Sequence, residues 1–363
     1  MLHFKHKNYT RVQNGSAKVH KRMVTLKDVA KQSGYSLRTV KKVFSEDDSG
    51  VRMETKEHIL KIAKKMGYRK NMIASALATT KVHNIAIVMG DFRHFFPKAK
   101  EGFLRFYNDI RNLKFEIEFY TPEDRSLGAC NKLLQEILEN EQIEAVIMHA
   151  SSMNGLNKQI NALIAAGKPV FTFGADAPAS DRICYIGPKA YEAGRIAAQI
   201  MSNYIGHKGK VFIINQIMEE MQTAERNHGF MDYIIENCPE ILVQQVVVQK
   251  KEKSYYDTVR EILENQEVVG ILGADADCYI IGDVLKDMQD TKTVAMGFDL
   301  TDDTERLLKE NYFKIVLNQN PEKQAYKAFQ AISNYILNGA PIERNIYTDI
   351  SIITSECLRY LEE

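Results

Sequence analysis

Two spacings of apolar residues follow one another along the chain. Between residues 24 and 80, apolar side chains return every three or four positions in short segments, which is the period of an amphipathic helix. From Asn84 onward, strand-length apolar runs alternate with helical segments. The pattern therefore predicts a small helical head followed by a larger α/β body.

Turn-forming residues divide the head into short helices. Gly34 ends a first helix that begins near Leu26, and Ser36 is a favourable N-cap for a second helix over 37–44. A third helix is expected over 54–66, and a fourth, rich in small residues, over 71–79. The apolar residues expected to face inward are Val40, Val43, Phe44, Ile59, Leu60, Ile62 and Ala63.

Apolar runs of strand length recur through the body. They lie at 85–89, 115–119, 145–148, 169–173, 211–214, 241–248, 269–272, 293–298 and 314–317. Because helical segments separate them, we expect parallel strands with helices on both faces of the sheet. These are too many strands for one small sheet, so two α/β lobes are the economical interpretation.

The charge of the chain is divided unevenly between head and body. Residues 1–80 hold 18 Lys+Arg and 6 Asp+Glu, a balance of +12, whereas the remainder holds 30 and 41, a balance of −11. This asymmetry favours a nucleic-acid-binding head on an acidic body, although a basic head that is only solvated would look the same.

Several function classes lack their usual signals. No apolar run approaches the ~20 residues of a membrane span, and the basic N-terminus has no apolar block after it, so we expect a cytoplasmic protein without a membrane partner. The five cysteines are scattered singly, which favours reduced thiols. No nucleotide-binding, zinc-hydrolase or serine-hydrolase motif occurs, so no enzyme activity, cofactor or metal is expected.

The first two helices and the glycine turn between them predict a helix-turn-helix. Their apolar faces would pack together, leaving Leu37, Arg38 and Lys42 to enter the major groove of double-stranded DNA. Arg38 and Lys42 share one helix face, and arginine can grip a guanine through two hydrogen bonds. The residues expected to contact phosphates are Lys41, Arg52 and Lys56. A small helical bundle with a solvated basic face is the alternative.

The segment VTLKDVAKQSGYSLRTVKKVFS, with VRMETKEHILKIAKKMGYRKNMIASALATTK after it, resembles the lactose-repressor (LacI/GalR) family. That family begins "T-x-x-D-V-A", continues with a "G-V-S-x-x-T-V" turn and recognition helix, and ends in a hinge "P-N-x-x-A-R-x-L". The matching residues are Thr25, Asp28, Val29, Ala30, Gly34, Ser36, Thr39, Val40, Gly67, Tyr68, Asn71, Ala74 and Leu77. By this resemblance Thr25, Ser36, Thr39 and Asn71 join the DNA-contacting residues.

The hinge departs from the family pattern at two positions. Lys70 stands where proline is usual, and Ser75 stands where a basic residue is common. In the family this hinge folds into a helix in the minor groove, so the resemblance makes Leu77 a wedge between base pairs. The alternative for Leu77 is a buried position at a seam between domains.

The body resembles the family's effector domain, a periplasmic-binding-protein-like fold of the ribose-binding type whose two lobes enclose a ligand. The residues that the resemblance places at the ligand are Phe95, Phe96, Asp176, Arg226, Asp277, Asp299 and Gln319. Aromatic faces stack on sugars, and fixed carboxylates and guanidinium groups bind hydroxyls. The alternatives are a core aromatic pair for the phenylalanines and surface or capping roles for the polar residues.

The resemblance implies a small-molecule effector, of which a sugar is the first candidate. Gly174, Ala190 and Ala276 stand where the family has polar side chains, which puts plain ribose or galactose in doubt. A nucleobase or a sugar phosphate is the rival effector, and a solute receptor of a transporter is the rival function.

The complete interpretation is an all-α helix-turn-helix head with a hinge helix, followed by a two-lobed α/β effector domain with parallel sheets. A homodimer would present two heads to a pseudo-palindromic operator, as expected of a repressor. The expected segments are a disordered basic arm (1–22), the DNA-binding domain (23–70), the hinge helix (71–80) and the effector domain (81–363), with lobe 1 at about 81–184 and 320–342 and lobe 2 at about 185–318 and 343–363. Met23 directly precedes the first patterned segment, so translation could begin there.

Overall fold

The computed structural model describes residues 24–44, 51–66, 81–90, 95–124, 126–152, 154–216, 221–248, 254–339 and 341–361. The chain separates into two units, residues 1–71 and 72–363. The expected basic arm and hinge helix, with Asn71 and Leu77, lie outside the described residues. No helix in the described parts combines the length and apolarity that crossing a bilayer requires.

The described part of the head contains three helices, α1 (Leu26–Ser33), α2 (Leu37–Val43) and α3 (Met53–Met66). Gly34 ends α1 in the left-handed conformation, with φ of 75°, and the Ser36 side chain caps α2, both as predicted. The buried apolar core consists of Val29, Val40, Val43, Ile59 and Ala63. The prediction that Leu60 faces inward is wrong, because this residue is 40% exposed on the outer side of α3.

The larger unit is built from two lobes, each around one six-stranded sheet. The first lobe comprises β1 (His83–Val88), α4 (Phe95–Asp109), β2 (Phe115–Tyr120), α5 (Leu127–Glu139), β3 (Ala145–Met148), α6 (Asn157–Ala165), β4 (Val170–Phe173), β5 (Cys184–Gly187), α12 (Pro321–Asn338) and β11 (Asn345–Tyr347). Its strand order is β11-β5-β4-β3-β1-β2, and its pairings are parallel.

The second lobe repeats this architecture. It comprises α7 (Ala190–Ile205), β6 (Gly209–Asn215), α8 (Met221–Asn237), β7 (Ile241–Val247), α9 (Tyr255–Asn265), β8 (Gly270–Gly273), α10 (Tyr279–Asp287), β9 (Val294–Phe298), α11 (Asp302–Lys309), β10 (Ile315–Asn318), β12 (Ser351–Ile353) and α13 (Ser355–Leu361). Its strand order is β12-β10-β9-β8-β6-β7, and only β12 runs antiparallel to its neighbour. The prediction of a helical head and a two-lobed α/β body is confirmed.

Three short crossovers join the lobes, at 188–189, 319–320 and 348–350. The first two leave the carboxyl ends of the parallel strands β5 and β10. The third leaves the carboxyl end of β11 and enters β12, whose antiparallel pairing puts its start beside the end of β10. The carboxyl edges of the two sheets therefore face each other, which is where ligands bind in open α/β sheets.

The expected lobe boundaries at 184 and 342 need correction, because β5 and β11 both belong to the first sheet. Tyr185 pairs with Asn345, so the short strand β11 completes the edge of the first lobe before the chain crosses. The pattern of apolar runs missed β5, β11 and β12. β5 follows β4 without an intervening helix, which breaks the alternation on which the prediction depended.

The second lobe holds two helices in unusually close contact. A Cβ atom on Gly194 of α7 would collide with the carbonyl oxygen of Arg226, and one on Gly229 of α8 would collide with the carbonyl oxygen of Tyr191. The backbones of α7 and α8 therefore touch without a layer of side chains between them.

A buried lysine closes the carboxyl end of α5 in the first lobe. The Lys168 ammonium donates to the main-chain carbonyls of Ile137, Leu138 and Asn140 at 2.7–3.0 Å. These are carbonyls that a helix end leaves without an internal partner, and a cation there also suits the helix dipole.

Candidate functional site

The side of α2 that is predicted to contact DNA lies opposite the core of the head. Val40 and Val43 of α2 are buried, whereas Arg38 and Lys41 are exposed and Lys42 is half-buried. The N-terminal end of α2 is fixed by Ser36, whose hydroxyl accepts from the Thr39 amide at 3.0 Å. Arg38 is therefore exposed at the end that enters a major groove in helix-turn-helix proteins, while Lys41 and Lys42 lie in the last turn of α2.

The remaining predicted DNA contacts in the described part of the head lie on α1, α2 and α3 or next to them, and one of them, Thr25, has a structural role. Leu37 and Lys56 are half-buried and Arg52 is exposed at the start of α3. Thr25 forms a capping box with Asp28, donating from its hydroxyl to the carboxylate at 2.7 Å while its main-chain N–H donates at 2.8 Å. Thr25 thus fixes the start of α1, and its contact with DNA stays a prediction.

The predicted effector residues all follow strand ends at the facing edges of the two lobes. Asp176 follows β4, while Asp277, Asp299 and Gln319 follow β8, β9 and β10. Phe95 and Phe96 begin α4 after β1, and Arg226 lies in α8 after β6. Parallel strands thus bring residues distant in sequence to the same edge of each sheet.

The first lobe contributes an aromatic cluster around Phe95. Its ring lies 5.4 Å from Phe96, 5.5 Å from His149 and 6.2 Å from Phe173, measured between ring centroids. Gly174 has φ of 69° and leaves no room for a Cβ atom, because Phe95 and His149 occupy that space. Both phenylalanines are buried, so the core role that the sequence left open for them is present, and stacking on a ligand stays a prediction.

His149 was not found by sequence reasoning, because a lone histidine at the end of β3 carries no motif. It lies 5.1 Å from Phe96 and 6.0 Å from Phe173. Burial lowers the pKa of His149 to about 4, so the imidazole is neutral at physiological pH. A neutral imidazole can offer one donor and one acceptor.

Asp176 is engaged within the protein. Its two carboxylate oxygens accept from Nε and Nη2 of Arg182, both at 2.6 Å, and one also accepts from the Thr172 hydroxyl at 2.7 Å. Arg182 donates further to the Arg344 carbonyl and to Oδ1 of Asn345. This buried ion pair ties the loop after β4 to β11, and Arg182 is a residue that the sequence analysis missed.

One buried hydrogen bond crosses directly between the lobes. Nε2 of Gln222, in the first turn of α8, donates to the Tyr185 hydroxyl on β5 at 2.9 Å. The same hydroxyl lies 3.2 Å from the Gly174 carbonyl and 3.1 Å from the Pro188 carbonyl. The contact couples the second lobe to the loop that holds the aromatic cluster.

The second lobe contributes a polar set centred on Arg226. Its guanidinium lies 4.0 Å from the Phe298 ring centroid and donates to the Ala274 carbonyl at 3.0 Å. Gln222 and Arg226 are four positions apart, so both lie on one face of α8. The helix that reaches across to the first lobe therefore also carries the predicted effector-binding arginine.

Two carboxylates follow the end of β8, and the nearer one, Asp275, interacts with the charge of Arg226. Asp277 accepts from Nε2 of Gln216 at 3.0 Å, while Asp275 accepts from the main-chain N–H groups of Gln216 and Asp277. Burial, together with the charge of Asp277, raises the pKa of Asp275 to about 6. Asp275 was missed because the family motif pointed to Asp277 alone.

Asp299 and Gln319 meet at the second crossover. Nε2 of Gln319 lies 3.0 Å from both carboxylate oxygens of Asp299, and Asp299 has φ of 65°. Both side chains are buried, so this pair fixes the chain where it passes between the lobes. Within the described residues, no group of three or more His, Cys, Asp or Glu is arranged to hold a metal ion.

Family models match both units of the chain. The model described as "Periplasmic binding protein domain" matches residues 85–340, and "Bacterial regulatory proteins, lacI family" matches residues 25–71. The second range holds the helix-turn-helix, and the first holds both lobes up to the end of α12.

Curated relatives are transcription regulators. The HTH-type transcriptional regulator RegA of Clostridium saccharobutylicum is 28% identical over 130 residues, 36% of this chain and 37% of that protein. Catabolite control protein A of Priestia megaterium is 23% identical over 252 residues, 67% of this chain and 71% of that protein. The match therefore spans less than two fifths of RegA.

Solved structures share the two-lobed fold. One assigned to a LacI transcriptional regulator from Bacteroides fragilis has a TM-score of 0.73 at 16% identity, covering 77% of this chain and 99% of that one. GanP, a glucose-galactose binding protein from Geobacillus stearothermophilus, has a TM-score of 0.70 at 19% identity over the same shares. The periplasmic binding protein model spans more than half of the chain, so the chain belongs to the periplasmic binding protein domain family, and its head matches the lacI family of bacterial regulatory proteins.

Proposed function

We propose that this protein is a transcription regulator that binds operator DNA through its head and a sugar or sugar-like effector between its lobes. The observation that carries the proposal is the joining of a lacI-type helix-turn-helix to a two-lobed binding domain in one chain. A regulator of this kind works on the chromosome, which places its action in the cytoplasm.

DNA binding follows from the geometry of α2. Arg38 lies exposed at the N-terminal end of this helix, opposite the buried Val40 and Val43, and is positioned to reach base edges. Lys41, Arg52 and Lys56 supply positive charge for phosphates. Homodimerisation would pair two such heads on one pseudo-palindromic site.

Effector binding follows from the chemistry of the facing edges. The first lobe offers an aromatic cluster, and the second offers the Arg226 donor together with the Asp275 and Asp277 acceptors of the loop after β8. Such a mixture suits a molecule with hydroxyl groups and an apolar face. Two of the structural neighbours were solved with D-arabinose and with α-D-tagatopyranose, which supports a sugar here by analogy.

Two alternatives remain distinguishable by experiment. A nucleobase or sugar phosphate would keep the regulator function and change the effector. A solute receptor of a transporter would use the same lobes, since several structural neighbours are described as sugar-binding proteins of transporters, but it would have no use for the basic head.

The DNA proposal is tested by selecting bound fragments of genomic DNA with the full chain and measuring their affinity at several salt concentrations. We expect a two-fold-related site and a steep loss of affinity with salt, because phosphate contacts release counterions. Arg38→Ala should cost about 1–3 kcal/mol and relax the preference at one base pair. Lys61→Ala, an exposed lysine on α3, is the matched control. No selective site, or a flat salt response, would refute DNA regulation.

The effector proposal is tested by thermal shift of the full chain against monosaccharides, sugar acids, sugar phosphates and nucleobases. A neutral sugar that raises the melting temperature, and loses this effect in Arg226→Gln, supports the proposal. A hit restricted to nucleobases or sugar phosphates would reassign the effector and leave the DNA result intact.

A further inference from the structure

A cavity of about 410 Å³ opens between the two lobes beside the first crossover. Its floor contains the Asp176–Arg182 ion pair and the Tyr185–Gln222 hydrogen bond, both buried. Of the residues predicted to bind the effector, only Asp176 lines it, and Arg182 already occupies that carboxylate. The cavity is thus distinct from the polar set around Arg226, and its volume is that of a small-molecule site.

The cations of the cavity lie on the crossover and on the first lobe. Lys189 is exposed at the crossover with its ammonium 4.9 Å from the Tyr347 ring centroid. Arg344, at the start of β11, donates only to the carbonyls of Pro178 and Ser180, both at 3.0 Å. Neither cation forms an ion pair within the described part of the chain.

The carboxylates of the cavity lie on the second lobe. Glu192 stands in the first turn of α7, and Glu225 stands in the second turn of α8, one residue before Arg226. Neither forms an ion pair with another described residue. Unpaired charges of opposite sign thus line one cavity, with Arg344 on the first lobe, Glu192 and Glu225 on the second, and Lys189 at the crossover between them.

The wall at the crossover adds hydrogen-bond donors. The side chain of Lys189, the N-cap residue of α7, makes no capping bond, so the first main-chain N–H groups of this 16-residue helix have no side-chain acceptor. A carboxylate beside Lys189 could accept from them, in the manner of anions at helix N-termini. Tyr191 and Met221 supply apolar surface between the charged sides.

We propose that this cavity is a second ligand site that takes a zwitterion carrying an amine and a carboxylate, a molecule of the free amino acid class. Its carboxylate would face Lys189 and Arg344, and its ammonium group would face Glu192 and Glu225. One bound molecule would then span both lobes and stabilise their present arrangement, as a ligand with differential affinity for two states must. By linkage it would also change operator affinity, separately from any effector in the cleft.

The test uses the full chain and the proteinogenic L-amino acids, each at roughly 10 mM in a thermal-shift screen followed by calorimetry. We expect at least one to bind, and its amide and its N-acetyl derivative, which each lack one charge, to bind at least tenfold more weakly. Lys189→Gln and Glu225→Gln should each weaken binding at least tenfold. Lys208→Gln and Glu240→Gln, exposed positions of the second lobe outside the cavity, are the matched controls and should leave it unchanged.

Three results would overturn the second site. If no amino acid binds to protein that still binds its operator, the cavity is not a site for free amino acids. Binding that survives both cavity substitutions, or is lost in Arg226→Gln instead, would move the ligand to the cleft. In the third result no amino acid binds, and Lys189→Gln or Glu225→Gln changes the melting temperature of the free protein. The charges of the cavity would then stabilise the arrangement of the lobes and bind no ligand.

Discussion

Replacing Asp176 with asparagine would separate its structural role from its predicted role as an effector contact. The substitution keeps the shape of the side chain but removes the charge opposite Arg182 and turns one of its two acceptors into a donor. The side chains of Arg182 and Asp176 are 2% and 6% exposed, so water cannot replace the lost partner. Arg182 would keep the remaining side-chain oxygen at position 176, the Arg344 carbonyl and Asn345 as acceptors, but no partner of opposite charge.

The expected cost is that of an uncompensated buried charge, about 3–5 kcal/mol. With an unfolding entropy of about 2.1 cal/mol/K per residue, each kcal/mol lowers the melting temperature of a domain of this size by slightly less than about 2 °C, so we expect a drop of about 5–8 °C. Differential scanning fluorimetry and urea titration of the full chain would measure it. Asp349→Asn is the matched control, because its ion pair with Lys323 is exposed and should contribute less than about 1 kcal/mol.

A double variant distinguishes the loss of a charge partner from a general disruption of the fold at this site. Replacing both members, Asp176→Leu with Arg182→Met, removes the buried charges together and should recover much of the lost stability. A loss below about 1 kcal/mol in Asp176→Asn, accompanied by weaker effector binding, would refute the structural role and return Asp176 to the cleft.

Three further perturbations test the lobes separately. Tyr185→Phe removes the acceptor of the interlobe hydrogen bond and should cost about 1–2 kcal/mol; a double-mutant cycle with Gln222→Ala should give a coupling near 1 kcal/mol, and strict additivity would show that the bond contributes nothing. Lys168→Met should cost about 1–3 kcal/mol in urea unfolding, because the carbonyls at the end of α5 lose their donor, and an unchanged midpoint would contradict this capping role. Asp275 has a folded-state pKa of about 6, above its ordinary 3.8, so the folded state binds its proton more tightly and the stability from this group is lost as pH rises from about 4 to about 6. Asp275→Asn should therefore stabilise the protein at pH 7.5 relative to pH 4 when each is compared with the parent, and an identical pH profile would contradict the raised pKa.

The sequence predicted the architecture because helices and long strands have strong local periods. It failed at β5, β11 and β12, which are three or four residues long and exist through pairings such as that of Tyr185 with Asn345, distant in sequence. Short strands of this kind are fixed by tertiary contacts, which no local period records.

For the site, the sequence predicted where the residues lie but not which side chains they contact. Strand ends located Asp176, Asp299 and Gln319 at the facing edges, since the order of elements decides where a strand ends. The sequence could not tell that Asp176 turns to Arg182 or that Gln319 turns to Asp299, because these pairings depend on side-chain direction in the folded loops. His149 and Asp275 had no motif, and they are distinguished by their contacts in the folded protein and by the desolvation that shifts their pKa values.

The contact between the backbones of α7 and α8 gives the second lobe a mechanical property. Side chains between two helices can rearrange and absorb a small displacement, but at Gly194 and Gly229 there is nothing between the helices to yield. Because Gly194 abuts the main chain of Arg226, a displacement of the backbone at Arg226 toward α7 would displace α7, which begins at the first crossover. We therefore expect α7 and α8 to move as one rigid body, so that a backbone movement of α8 beside the ligand is passed on to the first crossover between the lobes.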